Sequence, residues 1–195
     1  MDIVISSKNL HKIKELKELL YGKNFSILTA VELNCPEVVE DGLTLMENAK
    51  KKAVSNALFT GKLTIADDTG FFINALNNEP GIYAARYAGK DCNFSQNIKK
   101  VLKKLSGHKD RTAYFESVVV LADTNGFCSF GVGKCFGKIT EKEIGEAGFG
   151  YDPIFIPDGT NKTFAQMSLA EKNIFSHRRK ALDSIYPKIL EYIKR

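Results

Sequence analysis

The spacing of apolar residues at the start of the chain predicts a buried strand followed by a helix. Residues 3–5 form a short apolar run that ends at the polar pair Ser6-Ser7. After this pair, apolar residues recur at the three- and four-residue spacing of one helix face. The members of that face are Leu10, Ile13, Leu16 and Leu20.

A second helix is predicted from its end signals. Thr44 is followed three residues later by Glu47, the spacing of a capping box, and Gly61 is the residue type that commonly closes a helix. One face of this helix is apolar, which predicts that it packs against a core. That face consists of Leu45, Ala49, Ala53 and Ala57.

A buried strand is predicted next, and acidic residues are expected to end it. The apolar run at residues 63–66 leads into Asp67, Asp68 and the turn-forming residue Gly70. Since consecutive strand residues face opposite sides, only one of the two aspartates is expected to bind a metal, while the other braces the turn.

The second half of the chain predicts a helix, a hairpin, a short strand and two more helices. Residues 98–105 have helical spacing, and two long strand patterns flank the turn sequence Asp-Thr-Asn-Gly, which favours an antiparallel hairpin. Pro187 is expected to kink or restart the last helix. The remaining predicted elements are strands at 112–121, 127–139 and 153–156, a helix capped by Ser168 and Glu171, and a last helix carrying Leu182, Ile185, Ile189 and Ile193.

Composition indicates one globular domain, residues 1–195, that is soluble and cytoplasmic. Of the 195 residues, 44% are hydrophobic and 26% are charged, and no apolar run is long enough to span a membrane. The cysteines lack metal-site spacing, so reduced and mostly buried thiols are expected. They are Cys35, Cys92, Cys128 and Cys135.

The net charge of +5 leaves two kinds of ligand open. Most lysines are scattered over the predicted helices, which is typical of solvated faces. The positive charge itself leaves a non-catalytic nucleic-acid-binding protein as one interpretation, and a site for a small polyanion is the other. The Lys50–Lys52 run is the exception to the scatter.

Three segments carry candidate chemistry, and each has a plainer alternative. The segment from Ser6 to Lys12 lies at a helix start, where free N–H groups attract phosphate, although serine or asparagine there is also an ordinary cap. Glu40 and one aspartate of the pair at 67–68 suit Mg²⁺, although surface turn acids would look alike. The third segment is residues 148–153, with glycines around an aromatic residue, which together with residues 171–179 predicts a nucleobase site or a core.

Together these segments resemble the inosine-triphosphate pyrophosphatase family of non-standard purine nucleotide pyrophosphatases. The resemblance covers nearly the whole chain in order, and its most specific parts are IADDTGFFINALNNEPGIYAARYAG, GFGYDPIF and AEKNIFSHRRKAL. It implies an α/β fold with a long twisted mixed sheet, flanking helices and two lobes around a central active-site cleft. It also implies a homodimer that hydrolyses the triphosphates of inosine and xanthosine to the monophosphate and pyrophosphate.

The resemblance also implies roles for individual residues. Lys8 stands where many members have glycine, Thr69 stands where most have serine, and Gln166 replaces a common acid. The triphosphate is assigned to Ser7, Lys8, Asn9, Lys12 and Lys52, the Mg²⁺ ion to Glu40 and Asp68, the general base to Asp68, and the remaining nucleotide contacts to Thr69, Arg86, Phe149, Gly150, Tyr151, Asp152, Lys172, His177 and Arg178. No nucleic acid and no membrane partner is expected, and a Maf-like pyrophosphatase for modified or pyrimidine nucleotides is the alternative enzyme.

Overall fold

A computed structural model describes residues 1–23, 25–89 and 93–194, and it has the predicted α/β architecture. One mixed sheet has the strand order β2-β1-β3-β5-β6-β7, with β4 paired to β3, and helices flank it. The strands are β1 (Asp2–Ile5), β2 (Ser26–Thr29), β3 (Leu63–Ile73), β4 (Pro80–Gly81), β5 (Thr112–Asp123), β6 (Gly126–Ile139) and β7 (Phe155–Pro157), and the helices are α1 (Leu10–Leu20), α2 (Leu45–Thr60), α3 (Phe94–Lys104), α4 (Leu169–Phe175) and α5 (His177–Ile193).

The chain divides into two compact units, each with its own core. The first unit contains Met1–Asp68, Ser117–Gly133 and the chain from Arg178 onwards, and its core joins β1, α1 and the carboxyl-terminal helix. The second contains Thr69–Glu116 and Lys134–His177, and its core is rich in aromatic rings.

The first unit is built on parallel strands. β1 pairs with β2 on one side and with β3 on the other, both in parallel. In the second unit, β3 pairs antiparallel with β4, and β6 pairs antiparallel with β7. The predicted hairpin is confirmed, because β5 and β6 are neighbours in the sheet and only residues 124 and 125 separate them.

The predicted end of β3 is wrong. The strand does not stop at the acidic pair but continues from Leu63 through Asp67, Asp68 and Gly70 to Ile73. It continues because both carboxylates have cationic partners in the interior, so neither has to turn towards solvent. Asp67 therefore braces no turn.

Several other local predictions can be compared with the structure. Gly61 closes α2 in the left-handed conformation, as expected, but Glu47 bonds the Leu43 N–H instead of that of Thr44. α5 runs through Pro187 without restarting. The strand expected at 153–156 is a 3-10 turn, Asp152–Ile154, followed by β7.

The cysteine and membrane predictions are tested only in part. Cys35 and Cys135 are buried thiols, whereas Cys92 and the side chain of Cys128 lie outside the described residues. Within 1–23, 25–89 and 93–194, no helix combines the length and the apolar character needed to cross a bilayer.

Candidate active site

Five charged side chains gather in the first unit, and we call them the charged cluster: Lys12, Glu40, Lys52, Asp67 and Asp68. Lys12 lies in the first turn of α1, Lys52 lies in the middle of α2, and the two aspartates lie side by side in β3. Because β1 and β3 are parallel neighbours, the turn after β1 and the acidic part of β3 lie next to each other, as the Ser6 N–H bond to the Ile65 carbonyl shows.

Lys52 connects the two carboxylates assigned to the metal. Its Nζ lies 3.2 Å from Glu40 Oε1 and 3.4 Å from Asp68 Oδ1, and it donates to the Asp67 carbonyl at 2.8 Å. Desolvation by burial lowers the pKa of this lysine, but the surrounding carboxylates outweigh it, so the pKa is raised overall. The ammonium group is therefore charged where Glu40 and Asp68 meet.

Asp68 is a buried carboxyl group with a raised pKa. Only 6% of the residue is exposed, and its Oδ2 accepts a hydrogen bond from Asn48 Nδ2 at 3.3 Å. Burial raises the pKa of the carboxyl group and exceeds the opposing effect of Lys52 and Lys12. A carboxylate with a raised pKa is a stronger base than one in water.

Asp67 has different partners from its neighbour, as strand alternation requires. Its Oδ2 lies 3.1 Å from Lys12 Nζ and accepts a bond from Arg178 Nε at 3.0 Å. Burial alone would raise the pKa of Asp67, but Lys12 and Arg178 hold it well below its usual range.

The structure places Arg178 in the interior of the first unit. Its guanidinium is 1% exposed and is ion-paired to both Asp67 and Glu15. By resemblance, Arg178 is expected to donate a hydrogen bond to the purine edge. This role stays a prediction, and it has to be compatible with the ion pairs to Asp67 and Glu15.

The loop before α1 has the structure of a helix cap. Asn9 Oδ1 accepts the N–H groups of His11 and Lys12 at 3.0 and 3.2 Å, and Ser7 Oγ accepts the Asn9 N–H at 3.2 Å. Lys8 is exposed. Since the Asn9 oxygen is engaged in capping, any contact of this side chain with phosphate must come from its Nδ2 group.

The donor set of the charged cluster fits Mg²⁺. This ion takes one or two protein carboxylates and fills its remaining positions with water and phosphate oxygens. Glu40 and Asp68 supply such a pair, and Lys52 between them shows that the position favours positive charge. The described parts of the chain hold no group of three or more His, Cys, Asp or Glu side chains arranged for a metal.

A second cluster, which we call the aromatic cluster, lies in the second unit and consists of Phe149, Asp152, Phe164 and Lys172. The Lys172 ammonium is 2.6 Å from Asp152 Oδ2, and it lies 4.9 and 5.1 Å from the ring centroids of Phe149 and Phe164. Asp152 also accepts the Phe149 N–H at 2.9 Å. The segment is tightly folded, since a Cβ on Gly148 would lie 2.1 Å from that carboxylate.

The other residues assigned to the nucleotide have varied surroundings in this unit. Tyr151 is part of the aromatic core, where its ring stacks on Phe71 and its hydroxyl donates to the Ala84 carbonyl at 2.8 Å. Burial raises the pKa of Tyr151. His177 is buried and stacks on Phe115 at 4.7 Å. Of the remaining three, Thr69 lies in β3, Arg86 ends a 3-10 turn with its guanidinium 5.1 Å from the Tyr83 ring, and Gly150 has a positive φ of 63°.

Sequence analysis missed three polar residues around the charged cluster. Glu15 pairs with Arg178, and Asn48 and Asn56 are buried on the same face of α2 as Lys52. A signal was present for the last two, because residues 48, 52 and 56 recur every four positions alongside the apolar stripe of α2. Polar side chains on a core-facing stripe indicate an internal network.

These features define an α/β protein with a buried cation–carboxylate cluster in one unit and a lysine among aromatic rings in the other. Comparison with known proteins is more specific: the chain belongs to the Ham1 family, whose model matches residues 3–188.

Named relatives and solved structures agree with this membership. Proteins named dITP/XTP pyrophosphatase from Leuconostoc mesenteroides and Desulfotalea psychrophila are 44% and 42% identical to this chain, covering 100% and 98% of it and 99% and 86% of their own lengths. A HAM1 protein from Coxiella burnetii superposes with a TM-score of 0.88 at 37% identity, and the Ham1 protein of Staphylococcus aureus with 0.86 at 37%. Each alignment covers 98% of this chain, and 99% and 100% of the respective solved chains.

Proposed function

We propose that this chain is a nucleoside-triphosphate pyrophosphatase that hydrolyses non-standard purine nucleotides, such as ITP, dITP and XTP, to the monophosphate and pyrophosphate. The observation that carries the proposal is the position of Lys52 between Glu40 and Asp68. A cation next to two carboxylates, of which one has a raised pKa, provides phosphate binding, metal binding and a base together. The names of the relatives support the same reaction.

Glu40 and Asp68 are the residues that would hold the metal, which we propose is Mg²⁺. When bound, the ion offsets the negative charge of the triphosphate oxygens. Lys12 and Lys52 add positive charge from the protein, and both are held in place by carboxylates of the charged cluster.

Asp68 acts as the general base in this proposal. It orients a water molecule and takes its proton as the water oxygen bonds to the α-phosphorus, while the bond from this phosphorus to the oxygen that bridges to the β-phosphate breaks and pyrophosphate leaves. Burial favours this role because it raises the pKa of the carboxyl group. The Asn48 bond to Oδ2 restricts the rotation of the carboxylate, and Lys52 lies next to the other oxygen, Oδ1.

The aromatic cluster is the proposed base-recognition element. Phe149 provides a ring for stacking, and Lys172 and His177 are nitrogen donors in the same unit. A 6-keto purine accepts a hydrogen bond where adenine presents an amino group, so ATP would leave a donor unpaired at a cost of about 1–3 kcal/mol. Guanine also has the 6-keto group, so the proposal that inosine and xanthosine triphosphates are the best substrates further requires a steric or polar mismatch with the 2-amino group of guanine.

One assay tests the proposal directly. Pyrophosphate release is measured for ITP, XTP, GTP, ATP and the pyrimidine triphosphates, with and without Mg²⁺. ITP and XTP are expected to give the highest kcat/KM, and omission of the metal is expected to abolish turnover. A preference for pyrimidine nucleotides would favour a Maf-like enzyme, and ATP or GTP preference would contradict the base assignment.

The remaining expectations have separate tests. A nucleic-acid-binding protein would release no pyrophosphate and would bind oligonucleotides with a steep salt dependence. A homodimer and a single functional domain spanning residues 1–195 stay predictions, which light scattering and calorimetric unfolding can check.

A further inference from the structure

Asn48 joins the two chain segments that carry the proposed metal ligands. It lies on α2 and is 1% exposed. Its Oδ1 accepts the Gly42 N–H at 2.8 Å, and its Nδ2 donates to Asp68 Oδ2 at 3.3 Å. Gly42 is two residues after Glu40, so one side chain links that segment to β3.

These two bonds determine which way the amide points. The Gly42 N–H needs an acceptor, so the amide oxygen must face it, and the amide nitrogen then faces the Asp68 carboxylate. The oxygen is the only atom of an asparagine side chain that binds a hard cation. Because this oxygen faces Gly42 while the amide nitrogen faces Asp68, Asn48 presents a hydrogen-bond donor and not a metal ligand to that carboxylate.

The approach of Gly42 to the helix is close enough to exclude a side chain. A Cβ at position 42 would lie 2.7 Å from Asn48 Oδ1 and 2.8 Å from the Cβ of Glu47. The next residue, Leu43, donates its N–H to Glu47 Oε2 at 2.6 Å. The segment after Glu40 is thus anchored on the first turn of α2.

We propose that Asn48 is a positioning residue that sets the separation of Glu40 and Asp68, and so the affinity of the site for a divalent cation. The inference rests on the proposed function, because it takes these two carboxylates as the metal ligands. Loss of a residue that orients ligands typically weakens metal binding by about 10–100-fold.

The test measures metal binding without turnover. Mn²⁺ is titrated into the nucleotide-free full-length protein and followed by its electron paramagnetic resonance signal, and Mg²⁺ activation of ITP hydrolysis is measured in parallel. Asn48→Leu removes both hydrogen bonds of the side-chain amide and keeps a side chain of similar volume. Gly42→Ala disturbs the same contact from the other side, because the added Cβ would meet Asn48 Oδ1. This substitution does not alter the chemical identity of Asn48 or Asp68.

Asn56→Leu is the matched control. Asn56 is on the same helix, is 3% exposed, and donates to Ser6 Oγ at 2.7 Å instead of to a carboxylate. A purely structural loss of a buried amide should affect this control as much as Asn48→Leu. We expect Asn48→Leu and Gly42→Ala to weaken Mn²⁺ binding about 10–100-fold, with Asn56→Leu close to the wild type.

Each outcome decides the question. Wild-type Mn²⁺ affinity in a folded Asn48→Leu protein, or equal weakening in Asn56→Leu, overturns the positioning role even if ITP is hydrolysed. Should Asn48→Leu fail to fold, Gly42→Ala takes its place, and unchanged affinity there has the same meaning. A wild-type protein that neither binds Mn²⁺ nor hydrolyses ITP rejects the proposed function, and the inference with it.

Discussion

Replacing Arg178 with leucine is expected to destabilise the first unit strongly. The guanidinium is 1% exposed and is paired with Asp67 and Glu15, whose side chains are 0% and 6% exposed. Removing one partner of a buried pair leaves an uncompensated interior charge, at a cost of about 3–5 kcal/mol. In this variant Asp67 keeps its ion pair with Lys12, and both Asp67 and Glu15 lose their ion pair with Arg178.

The neighbouring residue supplies the control. Arg179 pairs with Asp183 on the helix surface, with side chains 49% and 58% exposed, and such a pair contributes only about 0.3–0.5 kcal/mol. Urea unfolding of the wild type, Arg178→Leu and Arg179→Leu at pH 7 measures both losses. Direct comparison is fair because the two substitutions are identical and adjacent.

The difference in the free energy of unfolding between the wild type and Arg178→Leu depends on pH through the pKa of Asp67. Since this pKa is lowered in the folded protein, the stabilisation is present above the unfolded value of about 3.9 and is lost as the pH falls through the folded value. The difference in the free energy of unfolding between the wild type and Arg178→Leu should therefore be constant from pH 8 to about 5 and should decrease only in stronger acid. If Arg178→Leu lowered the free energy of unfolding at pH 7 by no more than Arg179→Leu does, the reasoning would be refuted.

Two further predictions concern the reaction itself. Asp68→Asn should retain ITP binding by calorimetry but lower kcat by about 10²–10⁴-fold, since an amide cannot take a proton, and near-normal turnover would exclude Asp68 as the base. Phe149→Leu should weaken ITP binding by about 1–3 kcal/mol, the contribution of one stacked base. Phe130 is an exposed residue of β6, so Phe130→Leu should leave ITP binding unchanged. Equal effects of the two substitutions in a nucleotide titration would contradict stacking on Phe149.

Local signals predicted most of the helices and strands. Thr44 and Gly61 bound α2 as expected, and Ser168 with Glu171 forms the predicted capping box of α4. These features depend on residues three or four positions apart, whose interactions can be inferred from spacing alone. The short strands β2 and β4 were missed, because four residues and two residues carry too little periodicity.

The acidic pair shows where local inference stopped. Two consecutive aspartates predicted a strand end, because unpaired carboxylates are rarely buried. In the structure the strand passes through both residues, since Lys12 and Arg178 neutralise Asp67 while Lys52 approaches Asp68. The polar face of α2, residues 48, 52 and 56, could have warned of this network.

The sequence by itself determined the order of the helices and of most strands, the caps, the family resemblance and the residue types available for chemistry. Only the tertiary structure decided which charges meet: Arg178 lies 111 residues from Asp67 and 163 from Glu15. The physical reason is the separation along the chain over which each interaction acts. Periodicity and capping involve residues within one or two turns, whereas an ion pair forms wherever folding brings two side chains together. Burial then raises the pKa of Asp68, whereas at Asp67 the cations Lys12 and Arg178 outweigh burial and lower the pKa, although the two residues are adjacent in the chain.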